Sequence, residues 1–315
     1  MAHNHDHSAH GPISPVDSGH PVYRRNLMIA LIITGSVMVA EVIGGILADS
    51  LALLSDAGHM LTDMLALGLS FFAVTFARRP PTASKTYGFY RLEILAAFFN
   101  GMLLFFIAFY ILYEAYHRLF SPREVNSLFM IGVATIGLVS NIVGVIILKE
   151  SAQDNLNVKS AFFHMISDTV SSLGVIGGGI LIFYTGWFVV DPIISVLISL
   201  LIFRGALSLL RESIDILLEA TPKGIDAEKL LAEIRSVKGV KDVHHMHLWT
   251  ITSGVYAMSA HILIDDLLTS KSARILKEIE RLLKAEFSME HTTIQFESSS
   301  CGEDMLPLDS INQAK

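Results

Sequence analysis

The sequence predicts an all-α membrane bundle of six spans followed by a small α+β domain. Three observations lead there. Of 315 residues, 52% are hydrophobic and only 17% are charged, with a mean hydropathy of +0.53, whereas soluble domains carry about 25% charged residues. Six apolar segments each approach the ~20 residues that cross a bilayer core. Most ionisable residues gather after the last of these segments, which marks a soluble part.

Residues 1–25 come first and are polar, with His3, His5, His7, His10 and His20 set among Gly, Pro and Ser. They show no periodicity and read as a disordered His-rich tail, either solvated or a weak metal-gathering arm. The opening is not a cleavable signal peptide, since it lacks a basic end and a short apolar core. The membrane part, 26–210, holds apolar segments at Leu27–Leu47, Leu51–Ala77, Leu92–Tyr116, Leu128–Leu148, Val158–Tyr184 and Phe188–Leu209. With the N-terminus inside, Arg24, Arg25, Arg78, Arg79, Lys85, Arg91, Lys149, Lys159, Arg204 and Arg211 fall in the cytoplasm, against only Arg118 and Arg123 outside. The positive-inside rule then makes both termini cytoplasmic.

Thr221-Pro222 breaks the chain inside a cytosolic C-terminal domain, 211–300. Ile225–Val237 has the apolar spacing of an amphipathic helix. Val240–Thr250 and Val255–Ile264 read as strands joined across Thr252-Ser253-Gly254, Ser270–Phe287 as a helix and Thr292–Glu297 as a strand. The length suffices for a modest core of its own. The tail 301–315 carries no signal beyond Cys301, whose solitude excludes an intrachain disulfide. A net charge of −7 without a basic stripe argues against a nucleic-acid partner.

The chemistry lies in a repeat inside the second and fifth apolar segments: His59-Met60-Leu61-Thr62-Asp63 and His164-Met165-Ile166-Ser167-Asp168. On a helix, residues i and i+4 share a face, so each copy sets an imidazole one turn from a carboxylate. An ionisable group in mid-span costs about 2.5–3.5 kcal/mol on insertion scales, so these groups must face the interior of the bundle. Two structural His–Asp hydrogen bonds would hide them but leave the duplication unexplained. A metal site uses all four groups: two nitrogens and two oxygens make a tetrahedral set suited to zinc, with cobalt and cadmium next. Ala57, Gly58, Gly174 and Gly177–Gly179 beside the copies let helices approach closely. Asp56 shares a face with His59, but its counterpart in the second copy is Ala161, so the repeat leaves it as a partner fixing an imidazole or a step on a proton path. Glu41 is another isolated carboxylate with the same two readings, and Asn141 is a polar group without an obvious use. A closed four-ligand set leaves no position for a catalytic water, which counts against hydrolysis. Ligands that lose protons to bind metal make metal and proton compete, and alternating access turns that competition into exchange. A membrane zinc metalloenzyme and a membrane metal sensor are the alternative uses of the same four groups.

Together these features resemble the cation diffusion facilitator family, most closely its bacterial cobalt–zinc–cadmium resistance and zinc exporter branch. The stretches that carry the resemblance are Glu41–Gly45, Ser50–His59, Tyr87–Glu93, Asn155–Val158 and His244–Trp249. The resemblance implies a proton-coupled zinc exporter, no enzyme, working as a homodimer with no prosthetic group, with zinc as substrate and as a regulatory ligand. It implies that His59, Asp63, His164 and Asp168 form the transport site. It further implies a ferredoxin-like, metallochaperone-like cytosolic domain that binds extra metal, where His244, His261 and Glu297 fit and Gln295, a poor zinc ligand, stands where some relatives have a ligand. Strand alternation puts His244 on the face opposite His245 and His247. Arg78–Arg91 holds no histidine or acid, so no metal site is expected in that loop. The short, histidine-free Lys149–Asn157 suits a bacterial inner (plasma) membrane protein better than a vesicular one.

Overall fold

The computed structural model describes residues 21–77, 82–149 and 156–299. The side chains of some helical residues, Asp63 and His164 among them, lie outside the described set, as do the greater part of the His-rich tail and residues 300–315. The described chain divides into two units: residues 21–77, 95–149 and 156–211 form one, and residues 82–94 with 212–299 form the other.

The first unit is built from long helices: α1 (Pro21–Ala48), α2 (Leu51–Ala77), α3 (Arg91–Phe120), α4 (Ser127–Lys149), α5 (Leu156–Thr185) and α6 (Val190–Leu217). The shortest has 23 residues and the longest have 30, or about 35–45 Å at 1.5 Å per residue. Among the described residues, Arg91–Phe120, Ser127–Ile147, Asp168–Thr185 and Val190–Leu217 are long and apolar enough to cross a membrane, and Ile32–Ala48 adds a shorter apolar run. The distribution of polarity is inverted relative to a soluble protein. Large apolar side chains such as Ile46, Phe106, Tyr184 and Leu201 are exposed, while Glu41, Asp56, Asn141, Asp168 and Asp191 are buried. An apolar surrounding solvent produces that arrangement.

Packing in this unit follows small residues and a few buried polar ties. Helix α1 lies against α2 and α4, α4 against α5, and α2 against α5. A Cβ on Gly144 of α4 would sit 2.3 Å from the Met165 sulfur of α5, so glycine there lets the Met165 side chain lie against the α4 backbone. Gly178 and Gly179 are equally confined, by Ile194 and Ile131, whereas Gly174 and Gly177 have open space beside them. The start of α2 is held from 140 residues away. Asp191, in the first turn of α6, accepts hydrogen bonds from Ser50 Oγ (2.6 Å), Leu51 N (2.8 Å) and Ala52 N (3.2 Å). These donors belong to the first turn of α2, where no intrahelical acceptor exists. Near the same turn, Arg118 of α3 donates to the Asp49 carbonyl (2.6 Å) and carboxylate (2.7 Å) and to Glu114 (3.0 Å).

The second unit runs helix, strand, strand, helix, strand: α7 (Ala227–Ser236), β1 (Val240–Thr252), β2 (Val255–Ile264), α8 (Thr269–Phe287) and β3 (Met289–Glu297). Asp226 caps α7 by accepting from Glu228 N and Lys229 N. The strands lie in the order β1-β2-β3, antiparallel then parallel. The β1–β2 hairpin turns through Ser253-Gly254, where Gly254 takes a φ of 74° that favours glycine. The parallel pairing of β2 and β3 requires a crossover, which α8 supplies. Leu230 and Ile234 of α7 and Ile275, Ile279 and Leu283 of α8 form the core with Val243, Met258, Ile262 and Met289 of the sheet. Residues 82–94 belong to this unit through side-chain ties: Arg91 to Glu219 at 2.8 Å, Ser253 Oγ to Glu93 at 2.9 Å, and Thr252 Oγ1 to the other Glu93 oxygen.

Candidate metal centre

Both copies of the histidine–aspartate pentad are helical, the first on α2 and the second on α5. The two helices pack together. They bring His59 of the first copy to Asp168 of the second, with Nε2 and Oδ1 3.7 Å apart. Asp168 is 2% exposed and His59 is 32% exposed, so the imidazole forms the more open side of the pair. A ring nitrogen and a carboxylate at this spacing supply the donor types that half of a tetrahedral N2O2 set would need. The other two members of the repeat, Asp63 and His164, are on the same helices, four residues from their partners, and their side chains lie outside the described residues.

Asp56, one turn before His59, is buried and accepts a 2.5 Å hydrogen bond from Ser171 of α5. It therefore ties α2 to α5 beside the His59–Asp168 contact. Glu41 on α1, Asn141 on α4 and Ser172 on α5 are also buried, each with oxygen that has no hydrogen-bond partner among the described residues.

A second cluster sits on the sheet of the other unit. His244 of β1 is paired in register with His261 of β2. His244 Nε2 lies 3.1 Å from one Glu297 oxygen and His261 Nδ1 lies 2.9 Å from the other. The His261 contact is close but out of line for a hydrogen bond. One ligand atom from each of the three residues falls within 4.8 Å of the others. Burial works against ionisation of Glu297, but the Gln295 amide (2.9 Å) and the imidazoles of His261 and His244 outweigh it and hold the carboxyl below the usual range. Converging ring nitrogens and a carboxylate kept ionised fit a zinc-type ion.

Simple strand alternation fails at this point. His245 has a φ of 48°, and the β1–β2 register shifts between His244 and His247. The bulge turns His245 toward the cluster, with its ring 5.3 Å from that of His244 and 5.1 Å from that of His261. His247 instead lines a cavity of about 850 Å³ with Trp249, Tyr87 and Lys85. Gln295, paired with His261 across β2 and β3, supports Glu297 by a hydrogen bond.

Residues 27–218 match the family model of the cation efflux transmembrane domain, and residues 222–299 match that of the cation efflux protein cytoplasmic domain. This chain is a cation efflux protein. The family is the one also called the cation diffusion facilitators, and its members are metal transporters rather than enzymes. The cation efflux chain is 41% identical to a metal cation efflux system protein, CzcD, of Cupriavidus metallidurans, covering 95% of this chain and 90% of that one. It is 38% identical to a cadmium, cobalt and zinc/H(+)-K(+) antiporter of Bacillus subtilis, covering 96% and 94%. A solved metal-bound C-terminal domain of the Cupriavidus transporter is 32% identical over 23% of this chain and 99% of that one, with a TM-score of 0.22. The family and the apolar helices make this cation efflux chain a multi-pass membrane protein.

Proposed function

We propose that this cation efflux protein exports zinc, with cadmium and cobalt as further substrates, from the cytoplasm in exchange for protons. Transport proceeds by alternating access around His59, Asp63, His164 and Asp168. The observation that carries this reading is the 3.7 Å approach of His59 to Asp168 across two membrane helices. That contact joins the two copies of one motif, which is what a single four-ligand site requires. The names of the relatives, a metal cation efflux protein and a cadmium, cobalt and zinc antiporter that also moves protons, support the same reading.

The proton coupling follows from ligand chemistry. Imidazole nitrogen and carboxylate oxygen bind zinc in their deprotonated forms, so protons displace metal and metal displaces protons. When the bundle opens to the outer side, protons arriving there favour release, and when it opens inward their departure favours loading. The protein works as a homodimer in the bacterial inner membrane with both termini cytoplasmic. The cluster of His244, His261 and Glu297 is its regulatory metal site, and this observation favours a sensing role for the cytosolic part in addition to transport.

The test is zinc flux in liposomes holding the purified full chain. The wild type moves zinc across the membrane. Asp168→Ala and Asp63→Ala bind less zinc and move none. Undiminished flux in Asp168→Ala, or zinc binding by the wild type without flux, contradicts the proposal.

A further inference from the structure

We infer that the cavity beside His247 and Trp249 binds an anionic phospholipid, with the headgroup phosphate held by Lys85 and Arg91. The cavity has a volume of about 850 Å³, and every residue that lines it belongs to the second unit. That volume is within the roughly 300–1,000 Å³ of small-molecule sites.

The sheet forms the floor. His247 and Trp249 alternate with the core residue Leu248 on β1, so both leave the sheet on the face away from α7 and α8. Ser259 of β2, paired with His247, lines the same space. The wall is the segment before α3, and its own contacts hold it in place. Thr82 and Lys85 exchange two backbone hydrogen bonds (3.1 and 3.0 Å), and the Tyr87 ring meets that of His291 on β3 edge-on at 6.2 Å. A concave site therefore exists before any ligand arrives.

Charge and donors identify the ligand chemistry. The charged side chains that line the cavity are Lys85, Arg91 and Glu219. Arg91 donates one N–H to Glu219 at 2.8 Å, and its guanidinium has no other partner among the described residues. The Lys85 ammonium rests 4.7 Å from the centre of the Phe89 ring and meets no carboxylate among the described residues. Two cations against one carboxylate leave a positive charge in excess, and both cations keep N–H donors for phosphate oxygens. A phosphodiester, with a single negative charge, matches that excess. Trp249 and Tyr87 add amphipathic rings of the kind found at headgroup level.

Position favours a lipid over a soluble phosphate. Arg91 is the first residue of α3, and Arg91–Phe120 is apolar and long enough to cross a membrane. The basic wall of the cavity is thus next to the start of a span, where anionic headgroups attract Lys and Arg. Residues 78–91 carry Arg78, Arg79, Lys85 and Arg91 and no acid. The positive-inside rule explains the charge of such a segment but not why Lys85 and Arg91 line a cavity shared with Trp249.

The inference is independent of how the metal moves, and the experiment reads lipid binding directly. The chain has two tryptophans, so Trp187→Phe in the purified full chain in detergent leaves Trp249 as the reporter. Dioctanoyl phosphatidylglycerol shifts its fluorescence saturably, whereas dioctanoyl phosphatidylcholine or inorganic phosphate alone does not. Lys85→Gln weakens the affinity for phosphatidylglycerol about fivefold, the contribution of one base near a membrane surface. Ser259→Phe narrows the cavity without changing its charge and weakens binding at least as much. Zinc bound per chain stays at the wild-type value in both variants, which separates loss of lipid from loss of fold. An equal response to the two lipids overturns the inference, as does an affinity unchanged in both variants. Inorganic phosphate that saturates the site by itself and displaces phosphatidylglycerol also overturns it, because the site then belongs to a soluble ion.

Discussion

Asp191 offers the sharpest test of how the bundle holds the helix that carries the first pentad. Its carboxylate is fully buried and receives one hydroxyl and two backbone N–H groups from the start of α2. Asp191→Ala strands all three donors where no water replaces the acceptor. An unsatisfied buried donor costs about 1–3 kcal/mol, so three of them cost about 3–9 kcal/mol, and the loss typical of breaking a buried charged contact, about 3–5 kcal/mol, lies at the low end of that range. For a unit of this size each kcal/mol moves the melting temperature by about 2–4 °C, so the protein in detergent melts roughly 10 °C lower. Ser50→Ala removes only the hydroxyl contact and its bond from Leu53 N (3.3 Å), and its loss is about a third as large. In a double-mutant cycle the two substitutions are non-additive because they share that bond. A shift below about 2 °C for Asp191→Ala, or strict additivity with Ser50→Ala, refutes the reasoning.

Two further predictions concern the metals. His164→Asp exchanges nitrogen for oxygen in the proposed transport set, so manganese transport rises relative to zinc, measured as competing fluxes in liposomes; an unchanged ratio argues against ligation by His164. Glu297→Ala in the full chain, by removing the carboxylate that both His244 and His261 approach, lowers the zinc stoichiometry measured by equilibrium dialysis while Asp168→Ala lowers it further and independently. Equal stoichiometry in Glu297→Ala and wild type contradicts a metal site on the sheet.

The sequence carried the parts of this protein that periodicity controls. The repeated pentads were legible because a spacing of four on a helix fixes a shared face whatever surrounds it. The helix–strand–strand–helix–strand order was legible because apolar residues alternate along β2 and recur at helical spacing on α7 and α8. Family membership was legible in the same motifs. What escaped depends on distant parts of the chain meeting. Asp191 lies 141 residues from Ser50, and nothing local marks it as the acceptor for another helix. Glu93 meets Thr252 and Ser253 across a comparable separation, so the first turn of α3 gave no hint of its attachment to the hairpin. His245 escaped for a different reason: a single bulge, invisible in the alternation of residue types, rotates its side chain onto the face of His244.

The central claim is that one site built from both pentads exchanges zinc for protons. The measurement that tests it most directly follows zinc and internal pH together in the same liposomes, with zinc applied on one side only. Exchange at one site gives zinc movement accompanied by proton movement in the opposite direction, each abolished by Asp168→Ala and each reduced when the opposing proton gradient is collapsed. Zinc movement at the same rate with no change in internal pH, in a protein whose Asp168→Ala variant transports normally, would contradict it.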